Sequence, residues 1–214
     1  MIVAFLKFGK AEYIEDCCNS DYLYFDCLKN FRSNNRDSSF IFDPREGNIH
    51  QDQMNYLKLK IKDKTYRLNE LKDFNAQYQE FPNVIPGNIC SLYSLKFEEQ
   101  ETERAYIIDE RMFRINGKVL VIYNTPKFYK DLDSAINKMN LGYTRKEVVY
   151  YDRKTYNGEL TFHHKDSSFS FQNEYRILIK SDGKSIIRLK LPSMKEYSKV
   201  ITNDESKMIK VART

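Results

Sequence analysis

Apolar residues gather along this chain in short runs, two stretches alternate with polar ones, and helical spacing breaks in at only a few places. Residues 1–9, "MIVAFLKFG", predict a first strand closed by Gly9. In "KAEYIEDCCN", Ala11, Ile14, Cys17 and Cys18 recur at three-to-four spacing and predict a short helix. "DYLYFDCL" predicts a second strand and "CLKNFR" a helical turn after it. Residues 33–48 predict a loop, with Asp43-Pro44 and Gly47 as its punctuation. Over 54–68, Tyr56, Leu57, Leu59 and Ile61 predict a hairpin turning at Asp63-Lys64. A polar stretch fills 69–83, and "NICSLYSL" predicts a buried strand after Pro86-Gly87. The run "EEQETER" is a charged surface segment, and "KVLVIYN" predicts the clearest buried strand. "TPKFYKDLDSAINKMN" predicts the clearest helix, with Thr125 as cap, Pro126 at its first position, and Phe128, Leu132, Ile136 and Met139 on one stripe. "KEVVYYD" should pair with later segments, and "SIIRLKLP" predicts a last strand before a helical or frayed tail.

The most informative alternation is 168–179, "SFSFQNEYRILI". Its odd positions are apolar from Phe169 to Ile179, except Asn173, while its even positions are polar from Ser170 to Arg176. Read as one strand, it places Phe171, Tyr175 and Ile177 in the core and Gln172, Glu174 and Arg176 on the other face. Two readings of that polar face compete. One is a solvated edge, with Glu174 and Arg176 paired across a neighbouring strand at little energetic gain. The other is a site facing a cleft.

The order of elements predicts an α+β fold in a single domain, 1–214, with a split or strongly twisted mixed β-sheet and short flanking helices. G-x-G-x-x-G and P-loop motifs are missing, which argues against a Rossmann sheet.

Composition narrows the function classes. The 214 residues carry a net charge of +5 with the charges interspersed, so a nucleotide or RNA partner is allowed but not demanded. No apolar run is long enough for a signal-peptide core or a membrane span, which predicts a cytoplasmic protein without a membrane partner. Cys17, Cys18, Cys27 and Cys90 are then expected as reduced, buried thiols. Neither they nor His50, His163 and His164 have metal-site spacing, so no metal is predicted. On a strand, His163 and His164 would face opposite sides. Richness in Lys, Asn, Ile, Tyr and Phe points to an AT-rich genome of a bacterium or phage.

A serine-hydrolase elbow is absent. Asp43 and Glu46 in "DPREGN" offer two carboxylates to a metal-dependent nuclease, though no Glu-x-Lys strand accompanies them and turn capping explains them as well. Gln172 and Glu174 make a different pair. A carboxylate beside an amide suits a sugar oxocarbenium ion, the charge that develops on ribose when nicotinamide leaves NAD.

The stretch from Lys165, "KDSSFSFQNEYRILI", resembles the C-terminal motif of a large, mostly uncharacterised bacterial and phage domain family. That motif is Lys, three residues, aromatic, any, aromatic, Glu or Gln, any, then Glu-Tyr-Arg. The likeness continues in "FLKFGK", "YLYFDCLKNFRS", "FDPREGN", "NICSLYS", "IDERMFRINGKVLVIYNTPKFYKDL" and "VVYYD". The family itself is similar to ADP-ribosyltransferase-like toxins. Lys7 stands where the best-known toxin pattern has an arginine, and no Ser-Thr-Ser strand is evident. The resemblance implies an ADP-ribosyltransferase-like fold and use of NAD by a toxin or effector in phage–host conflict. Glu174 would be the catalytic carboxylate and Gln172 would orient a protein or nucleic-acid acceptor. Lys7, Tyr24 and Arg176 would line the NAD cleft, and the loop of Asp43 and Glu46 would border it. The alternatives are a non-enzymatic phage or host interaction protein on the same scaffold and, second, the nuclease.

Overall fold

Gln172, Glu174 and Arg176 owe their positions to a sheet whose central strand forks. The computed structural model describes residues 1–32, 43, 45–54, 56–68, 76–82, 87–114 and 117–212. In chain order the elements begin with β1 (Ile2–Gly9), α1 (Ala11–Ser20) and β2 (Tyr22–Cys27). There follow β3 (His50–Met54), β4 (Lys58–Ile61), β5 (Lys64–Arg67), β6 (Ala76–Glu80) and β7 (Asn88–Lys96). Next come β8 (Glu103–Ile107), β9 (Lys118–Ile122) and α2 (Thr125–Lys138). Then β10 (Tyr143–Glu147), β11 (Val149–Tyr151), β12 (Gly158–Glu159), β13 (His164–Asp166) and β14 (Glu174–Ile179) lead to the site. The chain closes with β15 (Ile187–Lys190), α3 (Met194–Tyr197), β16 (Ser198–Thr202), α4 (Asn203–Ser206) and β17 (Met208–Ala212).

The architecture is α+β, with antiparallel sheets and few helices. The main sheet runs β10-β14-β7-β1-β9-β16, and β2 joins it through β7 and β15. On one edge of β7 lies β14, paired from Asn88 to Tyr93. Its other edge is shared between β1 at the C-terminal end and β2 at Asn88 and Ile89, so the sheet splits there. Where a mixed sheet was expected, every ladder of this one is antiparallel, and a parallel pairing occurs between β11 and β13.

Alternation along β1 assigns the two faces. Phe5 packs with Ile14 and Cys17 of α1, Phe128, Leu132 and Ile136 of α2, and Tyr175, Ile177 and Ile179 of β14 in the larger core. Ala4 and Leu6 point the other way, to Leu95, Ile108, Val119 and Val121. Glycine is required at position 117, where an added Cβ would sit 1.9 Å from the Gly9 carbonyl oxygen.

Several expectations need correction. Asn124 caps α2, its Oδ1 accepting from the Lys127 amide at 3.1 Å, while Thr125 Oγ1 turns away to donate to the Ile2 carbonyl. The tail after β15 is helical only at α3 and α4, and otherwise forms β16, which extends the main sheet beside β9, and β17, which pairs with β8. Within the polar stretch, Ala76–Glu80 forms β6, paired with β3. Pro44, Pro86 and the expected loop over 33–42 lie outside the described residues. Among the described residues no helix is long and apolar enough to cross a membrane.

Candidate functional site

The alternating stretch is not one strand. Ser167–Gln172 winds into a 3₁₀ turn, capped by Asp166, whose carboxylate accepts from the Ser168 amide at 2.9 Å. Asn173 then takes the left-handed conformation, φ 38° and ψ 50°, and β14 starts only at Glu174. Asparagine tolerates that region better than a branched or bulky residue. The break corrects two expectations. Gln172 leaves the strand, and Phe171, expected in the core, is half-buried beside a cleft under the Arg111 guanidinium, 3.8 Å from the ring centroid. Tyr175 and Ile177 do pack in the core.

The break does not separate Gln172 from Glu174. Lys165, on β13, donates from Nζ to Gln172 Oε1 at 2.6 Å and to Glu174 Oε2 at 3.0 Å. The other oxygen of Glu174 accepts from Arg176 Nε at 2.7 Å and from the Ser91 hydroxyl of β7. Arg176 reaches on with Nη1 and Nη2 to the Glu46 carboxylate, at 2.6 and 3.2 Å, and donates to the Phe162 carbonyl. The Tyr150 hydroxyl accepts from the Glu174 amide at 2.9 Å.

The cluster is buried, and Arg176 is only 1% exposed. Four charges removed from water are tolerated because each cation meets a carboxylate and the set sums to zero. Burial alone would raise the Glu174 carboxyl, but Arg176 and Lys165, with hydrogen bonds from Arg176 and Ser91, hold it far below the usual carboxylate range. Burial also raises Glu46, and there the guanidinium it shares with Glu174 does not compensate. Burial would lower the pKa of Arg176, yet the two glutamates push it above its ordinary value. The cluster therefore holds a firmly ionised Glu174 and a Glu46 that takes up a proton more readily.

One oxygen-rich side of this cluster floors a cleft of about 110 Å³. Ser91, Lys165, Gln172 and Glu174 supply polar atoms, and Leu6, Phe8, Phe31, Tyr93, Met112 and Phe171 supply apolar walls. Asp109 fixes Arg111 at its edge through paired bonds of 2.7 and 2.8 Å. Aromatic walls with a few converging polar groups are the usual makeup of a small-molecule site. The volume limits the occupant to no more than one small ring or sugar, since a larger cavity of about 150 Å³ holds a single benzene.

The remaining expected residues are placed elsewhere or in other roles. Lys7 lies on the face of β1 opposite Leu6 and Phe8, its Nζ 3.4 Å from Cys90 Sγ, so it does not line this cleft. Tyr24 is engaged with Asp16 of α1 through its hydroxyl. Arg176 sits behind the cleft, not on its wall. Asp43 is a turn cap, accepting from the Arg45 amide at 2.9 Å, and Glu46 alone of that loop joins the cluster. His163 is the buried member of its pair. Burial and the nearby Arg176 charge lower its pKa to about 4, and its Nε2 bonds Thr144 Oγ1 at 2.9 Å. All four cysteines are free, and three of them are buried. Lys165, Ser91, Tyr150 and Arg111 were not anticipated. Lys165 had a signal, because it opens the motif stretch, whereas Ser91 reads as one small residue in a buried strand.

Comparison with family models, with curated proteins and with solved structures returns no match.

Proposed function

We propose that this protein is ADP-ribosyltransferase-like and acts on NAD, as a cytoplasmic toxin or effector in phage–host conflict. One observation carries the reading: Glu174 is an immobilised, ionised carboxylate lining an aromatic-walled cleft beside the Gln172 amide. The nicotinamide ribose of NAD would enter, and the base and the rest would lie over the rim near Arg111. As the bond from C1′ to nicotinamide breaks, the electron pair leaves with the base and positive charge develops on the ribose. Glu174 stabilises that charge without reorganising, because Ser91 and Arg176 already hold it. Gln172 orients the acceptor, which then bonds to C1′ and releases its proton to water.

A second reading rests on the same carboxylate. Both oxygens of Glu174 already accept hydrogen bonds, and an ammonium at 3.0 Å opposes a cation nearby. That saturation favours a non-enzymatic interaction protein whose cluster is structural. The nuclease alternative loses its pair of carboxylates, since Glu46 is committed to Arg176 and Asp43 to its turn.

Calorimetric titration with NAD, alongside nicotinamide release in cell lysate, separates the readings. Binding with turnover, lowered on the order of 10²–10³ in Glu174→Gln protein that still folds, is expected for the first. Gln172→Ala, at a half-buried position, gives a variant whose folding is not in question. A wild-type protein that neither binds nor cleaves NAD hands the lead to the second reading.

A further inference from the structure

The hairpin of β4 and β5 stands apart from the sheet and from the cleft. Among the described residues its two strands pair only with each other, and every residue from Lys58 to Arg67 is exposed. Residues 58–67 hold five lysines and arginines against one aspartate, a net of +4, where the whole chain carries +5. Among the described residues no carboxylate is ion-paired to Lys58, Lys60, Lys62 or Lys64. Cross-strand register sets Lys58 opposite Arg67 and Lys60 opposite Thr65, so these three cations share one face. Leu59, Ile61, Tyr66 and Lys64 lie on the other.

We infer that this hairpin is a basic ribbon that docks on double-helical DNA through its phosphates. A two-stranded ribbon fits the major groove, which is about 12 Å wide. Phosphates answer the four lysines, which no carboxylate pairs among the described residues. Beside Lys64, the other face presents exposed aliphatic and aromatic groups for base edges and thymine methyls. The charge also excludes the nearest rivals. At the tip the chain turns through Lys62 and Asp63, with Lys62 left-handed at φ 52°, so the part that would enter a bilayer first is charged. Strand addition by another chain is opposed by the lysines along both free edges. The inference is independent of what the cleft binds.

Fluorescence anisotropy of the full chain with a short labelled DNA duplex tests it. Four phosphate contacts predict that affinity falls roughly 150-fold between about 50 and 200 mM salt. A variant with Lys58, Lys60, Lys62 and Lys64 all changed to Gln should lose most of the low-salt affinity. Its remaining salt dependence should be slight over the same range. The same lysines changed to arginine should retain both. Circular dichroism should show all three proteins equally folded, because the changed side chains are exposed. Absence of salt-dependent duplex binding, equal binding by the glutamine variant, or binding to anionic vesicles without duplex binding would each overturn the proposal. The lysines would then be edge protection alone.

Discussion

Replacing Arg176 with methionine removes the guanidinium that Glu46 and Glu174 share. Two carboxylates, 2% and 4% exposed, are left facing each other with only Lys165 to offset them. Removing one partner from a buried ionic group costs about 3–5 kcal/mol, because the other charge stays buried without compensation. With a urea slope of about 2 kcal/mol per molar, the unfolding midpoint should fall by about 1.5–2.5 M. The pH dependence gives the loss its signature. In the wild type, Glu174 is depressed, so its contribution is present above the unfolded value near pH 4.3 and is lost as pH falls through the folded value. In the variant, the stranded carboxylates bind protons more tightly folded than unfolded. Its stability should therefore rise as pH drops from 7 towards 5, opposite to an ordinary acid transition. Adding Glu46→Leu should restore part of the loss, since the charge and its partner then leave together. Urea unfolding at several pH values reads all of this. A single variant within about 1 kcal/mol of the wild type, or one indifferent to pH, would refute the view that these charges are mutually dependent.

Phe171→Ala should cost only about 1 kcal/mol, from a half-buried ring under Arg111, against about 2–5 kcal/mol for Ile177→Ala in the core. Equal losses in denaturant titrations would put Phe171 back in the core. His50 bonds Asp52 at 2.8 Å and Glu159 at 3.0 Å, and these two acceptors raise its pKa. Its link between β3 and β12 should stabilise fully below about pH 6.5 and fade as pH rises through the folded value. A melting-temperature gap between wild type and His50→Asn that widens with pH would contradict this sign. Iodoacetamide should modify Cys18 first in the native protein, because Cys17, Cys27 and Cys90 are buried and burial pushes the Cys17 thiol up to about 11. Mass spectrometry after unfolding without reductant should find all four modified, and an intact disulfide would sink the expectation.

What the sequence shows well is whatever depends on neighbours along the chain. β1, β7 and β9 follow from runs of apolar residues, and α2 from one stripe, because each element's own period reports its buried face. Asn173 was the single exception to the alternation, and it marks the place where the strand ends. Burial of Glu174 and Arg176 was harder to see. A charged residue is read as outward unless its partner is known, and the Glu46 carboxylate lies 130 positions away from Arg176 in sequence. β6 stayed hidden for a related reason: its Gln77 and Gln79 bond Gln53 and Gln51 across the ladder, so a polar stretch satisfies itself and shows no apolar face. Yet four segments far apart in sequence meet here. "DPREGN" brings Glu46 to Arg176, "NICSLYS" brings Ser91 and "VVYYD" brings Tyr150 to Glu174, and the stretch from Lys165 brings Lys165, Gln172 and Arg176. Surface charges of no consequence have no reason to converge from four separated segments onto one buried carboxylate. A cluster that must be completed by all four has one.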